Sequence, residues 1–118
     1  MSNDQDLSRL GSTPIPGPAP AGSDAKGDDA FRELKAEVGK LTAVDPTVDW
    51  GKVVSLATDL LRNTTKDLLV ASFLTAGLLE KNGYPGLITG LGVLRDMVES
   101  HWEGLYPSKS RKIGRAHV

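Results

Sequence analysis

Apolar residues first fall into a helical rhythm at Phe31, Leu34, Val38 and Leu41, and this spacing of three and four predicts one helix face opening at Asp28. Asp28 and Asp29 stand at its start, where the positive end of the helix dipole favours carboxylates. Asp45-Pro46 interrupts the pattern, because proline disfavours a helical residue before it and removes a donor. A second stripe follows at Trp50, Val53, Val54, Ala57, Leu60 and Leu61, with Asp49 placed to cap it. The third helix is predicted from around Thr65, with Asp67 in its first turn. It runs through Leu68, Ala71, Leu74 and Leu78 to a stop at Asn82-Gly83, and its nearly all-round apolarity predicts a central position. Pro85 suits the first turn of a fourth helix, whose Leu87, Leu91, Leu94, Val98 and Trp102 define its predicted buried face and which ends before Tyr106-Pro107. No segment alternates with the two-residue period of a strand. The expected fold class is therefore all-α, an antiparallel bundle or stack of about four helices joined by short links.

Both ends of the chain break this rhythm. Pro14-Ile15-Pro16-Gly17-Pro18-Ala19-Pro20 cannot be helical, so residues 1–27 read as a flexible, disordered Pro/Gly-rich N-terminal arm. Such an arm serves either as a solvated spacer or as a short polyproline-like segment that docks on a partner, and composition alone leaves both open. Residues 28–107 form the expected helical domain and residues 108–118 an unstructured tail. Within the tail, Ile113-Gly114-Arg115-Ala116-His117-Val118 coincides with one reading frame of a common DNA-sequencing adapter, ATC GGA AGA GCA CAC GTC. The expectation is that residues 113–118 are an artefact and that the sequence is secure through Arg111.

A chain of 118 residues has the length of one domain. Its charge narrows the partners. Lys and Arg number 14 against 15 Asp and Glu, so no net basic field selects nucleic acid or an anionic membrane surface. Cysteine is absent, which removes disulfides and thiolate chemistry and fits a reducing, cytoplasmic setting. The polar, acidic start lacks the basic and apolar regions of a signal peptide. Leu68 to Leu79, the longest mainly apolar run, covers only about half of the ~20 residues a membrane helix needs, so no direct membrane insertion is expected.

No group of residues assembles catalytic or metal-binding chemistry. With His117 set aside in the tail, His101 lacks a second histidine and a nucleophile, and its place near a helix C-terminus favours a partly protonated imidazole. The run Gly83-Tyr84-Pro85-Gly86-Leu87-Ile88-Thr89-Gly90 lacks the Lys-Ser/Thr of a phosphate-binding loop. Gly83 reads instead as a helix C-cap, and Gly86 with Gly90 as a shallow groove for a neighbouring helix. Lys35, Glu37 and Lys40 read as a solvated face, while Trp50 and Trp102 are core or interface anchors. The expectation is a binding module that uses no cofactor and no metal and performs no catalysis.

Several short motifs, taken in order, point further. Pro20-Ala21-Gly22, Phe31-Arg32-Glu33-Leu34, Asp49-Trp50, Thr65-Lys66-Asp67-Leu68-Leu69-Val70-Ala71, Asn82-Gly83-Tyr84-Pro85-Gly86-Leu87 and Trp102-Glu103-Gly104-Leu105-Tyr106-Pro107 together resemble the ImpA-type N-terminal domain of the TssA family of bacterial type VI secretion systems. Leu69 stands where the family has arginine, so a contact made by that arginine is not carried over. The resemblance implies a cytoplasmic, non-catalytic assembly factor, with Trp50, Asp67, Leu68, Gly83, Gly86, Trp102, Leu105 and Pro107 as structural or interface candidates. Its implied partners are the baseplate, tube, sheath and membrane complex of the machine, with homo-oligomers formed by the full-length protein. Two other readings share the physical features: the N-terminal fragment of an enzyme whose active site lies further on, and a generic helical adaptor.

Overall fold

A computed structural model of the protein describes residues 7–43 and 47–107. Four α-helices lie wholly within them: α1 (Asp29–Gly39), α2 (Trp50–Asn63), α3 (Leu68–Asn82) and α4 (Tyr84–His101), with 3-10 turns at Lys40–Thr42 and Trp102–Gly104. Three of the helices open on an aspartate whose carboxylate accepts otherwise unpaired N–H groups. Asp28 accepts from Ala30 and Phe31, Asp49 from Lys52, and Asp67 from Leu69 and Val70. Gly83, at φ 69°, closes α3 and opens α4 in one residue, a conformation that side chains resist.

Each helix packs on the next in chain order, and the core runs through Leu34, Val53, Ala57, Leu60, Leu61, Leu74, Val93 and Met97. Thus the all-α stack read from the sequence is the fold observed. α3 and α4 run antiparallel and nearly touch along their backbones. A Cβ on Gly86 would stand 2.1 Å from the Leu78 carbonyl oxygen, and one on Gly90 would stand 2.7 Å from the Thr75 Cα.

That close approach rotates α4 away from its predicted orientation. The buried face is Gly86, Gly90, Val93, Met97 and His101, whereas Leu91, Val98 and Trp102 of the predicted face are exposed. The buried direction lies about one residue, some 100°, around the helix from the predicted one. Glycine contributes no hydrophobicity to a periodicity, yet it permits the closest helix contact.

Three other expectations need correcting. Leu41 lies in the 3-10 turn after α1 and is exposed. Glu37 is not solvated: its side chain is 3% exposed, it accepts the Asp49 N–H at 2.7 Å, and it pairs with Lys40 at 3.1 Å and Lys52 at 3.8 Å. These contacts, the Asp49 N–H foremost, hold its carboxyl below the ordinary glutamate value. Finally, residues 7–25 are non-helical for most of their length, as the prolines require, but they do not form a free arm. Leu7, Leu10, Ile15, Ala21 and Ala25 are buried, and Leu7, Leu10 and Ala25 join the core. Five well-separated apolar side chains suffice to dock a segment whose average composition reads as a linker. Residues 1–6, the Asp45-Pro46 break and the tail at 108–118 lie outside the described residues.

Candidate functional site

The motifs dispersed along the sequence meet at the connection between α2 and α3. The Thr64–Asp67 backbone has the N-terminal segment on one side and the returning C-terminal segment on the other. Ser23 N–H donates to the Thr64 carbonyl and Lys66 N–H to that of Ala21, while Tyr106 N–H donates to the Lys66 carbonyl and Leu68 N–H to that of Tyr106. Gly22 pairs antiparallel with Thr65 and Asp67 parallel with Tyr106, so three chain segments share one small ladder. Gly22 fits there at φ 77° because a Cβ would meet the Thr64 carbonyl oxygen at 2.1 Å.

Within this hub, Asp67 rather than Thr65 caps α3. The Thr65 hydroxyl is buried without a hydrogen-bond partner among the described residues. Burial pushes the Asp67 carboxyl up, and the N–H bonds from Val70 and Leu69 oppose that shift. Asp67→Ala is expected to lower stability by about 1 kcal/mol through loss of those bonds, and urea denaturation checks it.

Lys66 is the least expected member. Its side chain is fully buried, and no carboxylate pairs with it among the described residues. Its Nζ donates instead to the Leu61 carbonyl at 2.8 Å, near the C-terminal end of α2, and to the Leu10 carbonyl at 2.6 Å. Burial, with a smaller push from Arg62, lowers its pKa to about 8. His101 makes a parallel contact, its Nε2 lying 3.1 Å from the Ser12 carbonyl oxygen. Burial lowers the His101 pKa too, which reverses the protonated reading drawn from its place at a helix end. Between these ties Gly11 seats directly on α4, where a Cβ would stand 2.3 Å from the Val93 carbonyl oxygen.

The predicted candidates therefore divide. Asp67 and Leu105 are buried in the hub, Leu68 is half-buried against the core, and Pro107 is exposed just beyond Tyr106. Gly83 and Gly86 shape the turn and contact between α3 and α4, at the other end of α3 from the hub. Trp50 is half-buried against the core, and Trp102 is 48% exposed. Sequence reasoning missed Lys66 as a tie and Leu7 and Leu10 as core residues. The signal for the latter was the three-residue spacing of two leucines ahead of the prolines.

One surface feature was also missed. Tyr84, Ile88, Leu91 and Val98, with Trp102 just past the helix end, lie at spacings of four, three, seven and four along α4, and all are exposed. Tyr84 is 78% and Ile88 69% exposed. Arg95, paired with Asp96 at 2.9 Å, supplies the charged position in this stripe. No helix among the described residues is long and apolar enough to cross a membrane, and none of their His, Cys, Asp or Glu side chains gather in threes as a metal group would require.

Comparison with known proteins agrees with the convergence of these motifs. The family model described as ImpA, N-terminal, type VI secretion system, matches residues 12–116. The chain is 31% identical over 97 residues to type VI secretion system component TssA1 of Pseudomonas aeruginosa, a match covering 75% of this chain and 28% of that protein. It superposes with a TM-score of 0.77 and 30% identity on the N-terminal domain, including the conserved ImpA_N region, of the TssA component from Burkholderia cenocepacia. That superposition covers 93% of this chain and 44% of the solved one.

Proposed function

Because the chain belongs to the ImpA N-terminal family of the type VI secretion system, we propose that this TssA component domain works without catalysis, as an assembly element. It docks to baseplate, tube, sheath or membrane-complex components through helix faces, in the cytoplasm. The observation that carries this reading is the family match over 12–116, supported by likeness in both sequence and fold to TssA components. The chain spans 28% of the TssA1 relative, so ring-like oligomers of the full-length protein would be set by parts beyond this fold. A near-neutral charge, 14 basic against 15 acidic residues, fits docking driven by buried apolar and aromatic side chains rather than by a broad electrostatic field.

The test is secretion. Removing the codons for residues 28–107 from the chromosomal gene is expected to abolish export of the machine's tube protein, and supplying the intact gene in trans should restore it. Affinity purification of the tagged protein should recover baseplate or sheath components from the parent strain and lose them with the deletion. Export that continues unchanged in the deletion strain refutes the reading.

A further inference from the structure

Three cationic residues share one small cavity between the N-terminal segment and the end of α2, and no carboxylate lines it. Arg9, Leu10, Thr13, Arg62 and Lys66 surround a space of about 160 Å³. Neither guanidinium makes an ion pair among the described residues. The Lys66 ammonium carries three donors and spends two of them on the Leu10 and Leu61 carbonyls. Both partners are neutral, so its charge stays uncompensated, and because the side chain is fully buried its field acts through protein rather than water. Like charges gathered in this way repel, and the Arg62 charge already opposes that of Lys66.

The acidic side chains nearest in sequence to Arg62 and Lys66 are engaged elsewhere. Asp59 accepts from Asn63 Nδ2 at 2.9 Å, and Asp67 accepts from the Leu69 and Val70 N–H groups at the start of α3. The C-terminal end of α2 adds roughly half a negative charge, too little to balance three cations.

The geometry points to a binding site for a phosphate-type dianion, held by Arg9, Arg62 and Thr13, with the buried charge of Lys66 adding to the field. Guanidinium forks match the oxygens of a tetrahedral oxyanion, and the Thr13 hydroxyl has a donor to add. Charge selects a dianion over a carboxylate, since a single negative charge would leave most of the excess in place. Volume selects a phosphoryl group over a larger ligand: 160 Å³ lies below the roughly 300–1,000 Å³ of sites that enclose drug-sized molecules. Arg9, Thr13 and Arg62 are all exposed, so free phosphate and the phosphoryl end of a monoester, which share this chemistry, both have access. Arg9 belongs to the N-terminal segment and Arg62 to α2, so an anion held by both would clamp the segment onto the domain alongside the Lys66 tie.

The test titrates the intact chain, in a buffer free of oxyanions and at constant ionic strength, with inorganic phosphate, glycerol 3-phosphate or acetate. Amide chemical shifts of residues 9–13 and 62–66 should move with phosphate and saturate with a Kd of about 1 mM or tighter. Arg9→Gln and Arg62→Gln should each weaken that affinity about tenfold or more, yet leave the melting temperature in chloride within about 1 °C, because both side chains are exposed and unpaired. At about 50 mM, phosphate should raise the melting temperature of the parent roughly 5 °C more than that of the double variant. The double variant removes from the comparison the general stabilisation that excluded anions give any folded protein. Glycerol 3-phosphate binding as tightly as phosphate would assign the site to a phosphoryl group carried on a larger ligand, and tenfold weaker binding would assign it to the free ion. Unmoved shifts, an equal melting rise in parent and double variant, or acetate binding as tightly as phosphate would each overturn the proposal, the last in favour of a carboxylate.

Discussion

Gly90→Ala and Gly92→Ala, two residues apart on one helix, should move stability in opposite directions. A Cβ at Gly92 meets nothing within 4 Å, so alanine there gains helix propensity and loses unfolded-state freedom, for an expected stabilisation of about 0.5–1 kcal/mol. A Cβ at Gly90 would lie 2.6 Å from the Thr75 hydroxyl and 2.7 Å from the Thr75 Cα. The second contact is backbone, and no rotamer change relieves it. Thr75 is itself held, its hydroxyl bonded to the Ala71 carbonyl at 2.8 Å. Alanine at Gly90 must therefore push α3 and α4 apart along their contact, at a cost of about 2–3 kcal/mol. The two variants should melt about 10 °C or more apart. A Gly90→Ala protein as stable as the parent would show that α3 and α4 do not approach as closely as described.

Gly86 and Gly90 also show where sequence periodicity stops. The stripe of α2 was legible because its buried residues, Val53, Ala57, Leu60 and Leu61, are large enough to score as apolar and repeat at helical spacing. The buried direction of α4 was not legible for the opposite reason. Two of its five buried positions are Gly86 and Gly90, so the strongest apolar signal on that helix belongs to residues that face outward. Glu37 was misread because a charge is counted as solvated until its partners are known. Those partners, Asp49 N–H, Lys40 and Lys52, come in part from the start of the next helix. The N-terminal prolines correctly dictated backbone conformation, but conformation does not decide docking. Docking depends on where Leu7, Leu10 and Ile15 land, and the three-residue spacing of the two leucines is the one local trace of it. Of the candidate site, the hub residues Asp67 and Leu105 could be named from motif order. Their convergence with Gly22 and Tyr106 required the ladder itself.

Lys66→Met should be the most informative change at that hub. Methionine preserves most of the apolar stem but removes both donors, leaving the Leu10 and Leu61 carbonyls without the bonds they accept from Nζ. Each loss costs about 1–3 kcal/mol, and relief from burying an ammonium offsets part of it, so a net destabilisation of about 2 kcal/mol is expected at pH 7. The pH dependence then separates the two contributions. The folded pKa is about 8 against 10.5 for an ordinary lysine. Below pH 8 both states carry the proton and the burial penalty is present in full. Between pH 8 and 10.5 the folded protein releases it first, the unfolded chain binds more protons, and stability rises with pH. Deprotonation breaks neither tie, because a neutral amine keeps two N–H donors and two carbonyls accept them. Arg9, Arg62 and His101, the basic groups near Lys66 among the described residues, remain in Lys66→Met, so their effects cancel in a comparison of the two proteins. The urea midpoint of the parent should accordingly climb away from that of Lys66→Met between pH 8 and 10. A constant gap across that window would mean that the two carbonyls stabilise the ammonium enough to cancel its desolvation, and that Lys66 ties the N-terminal segment to α2 as a permanent cation.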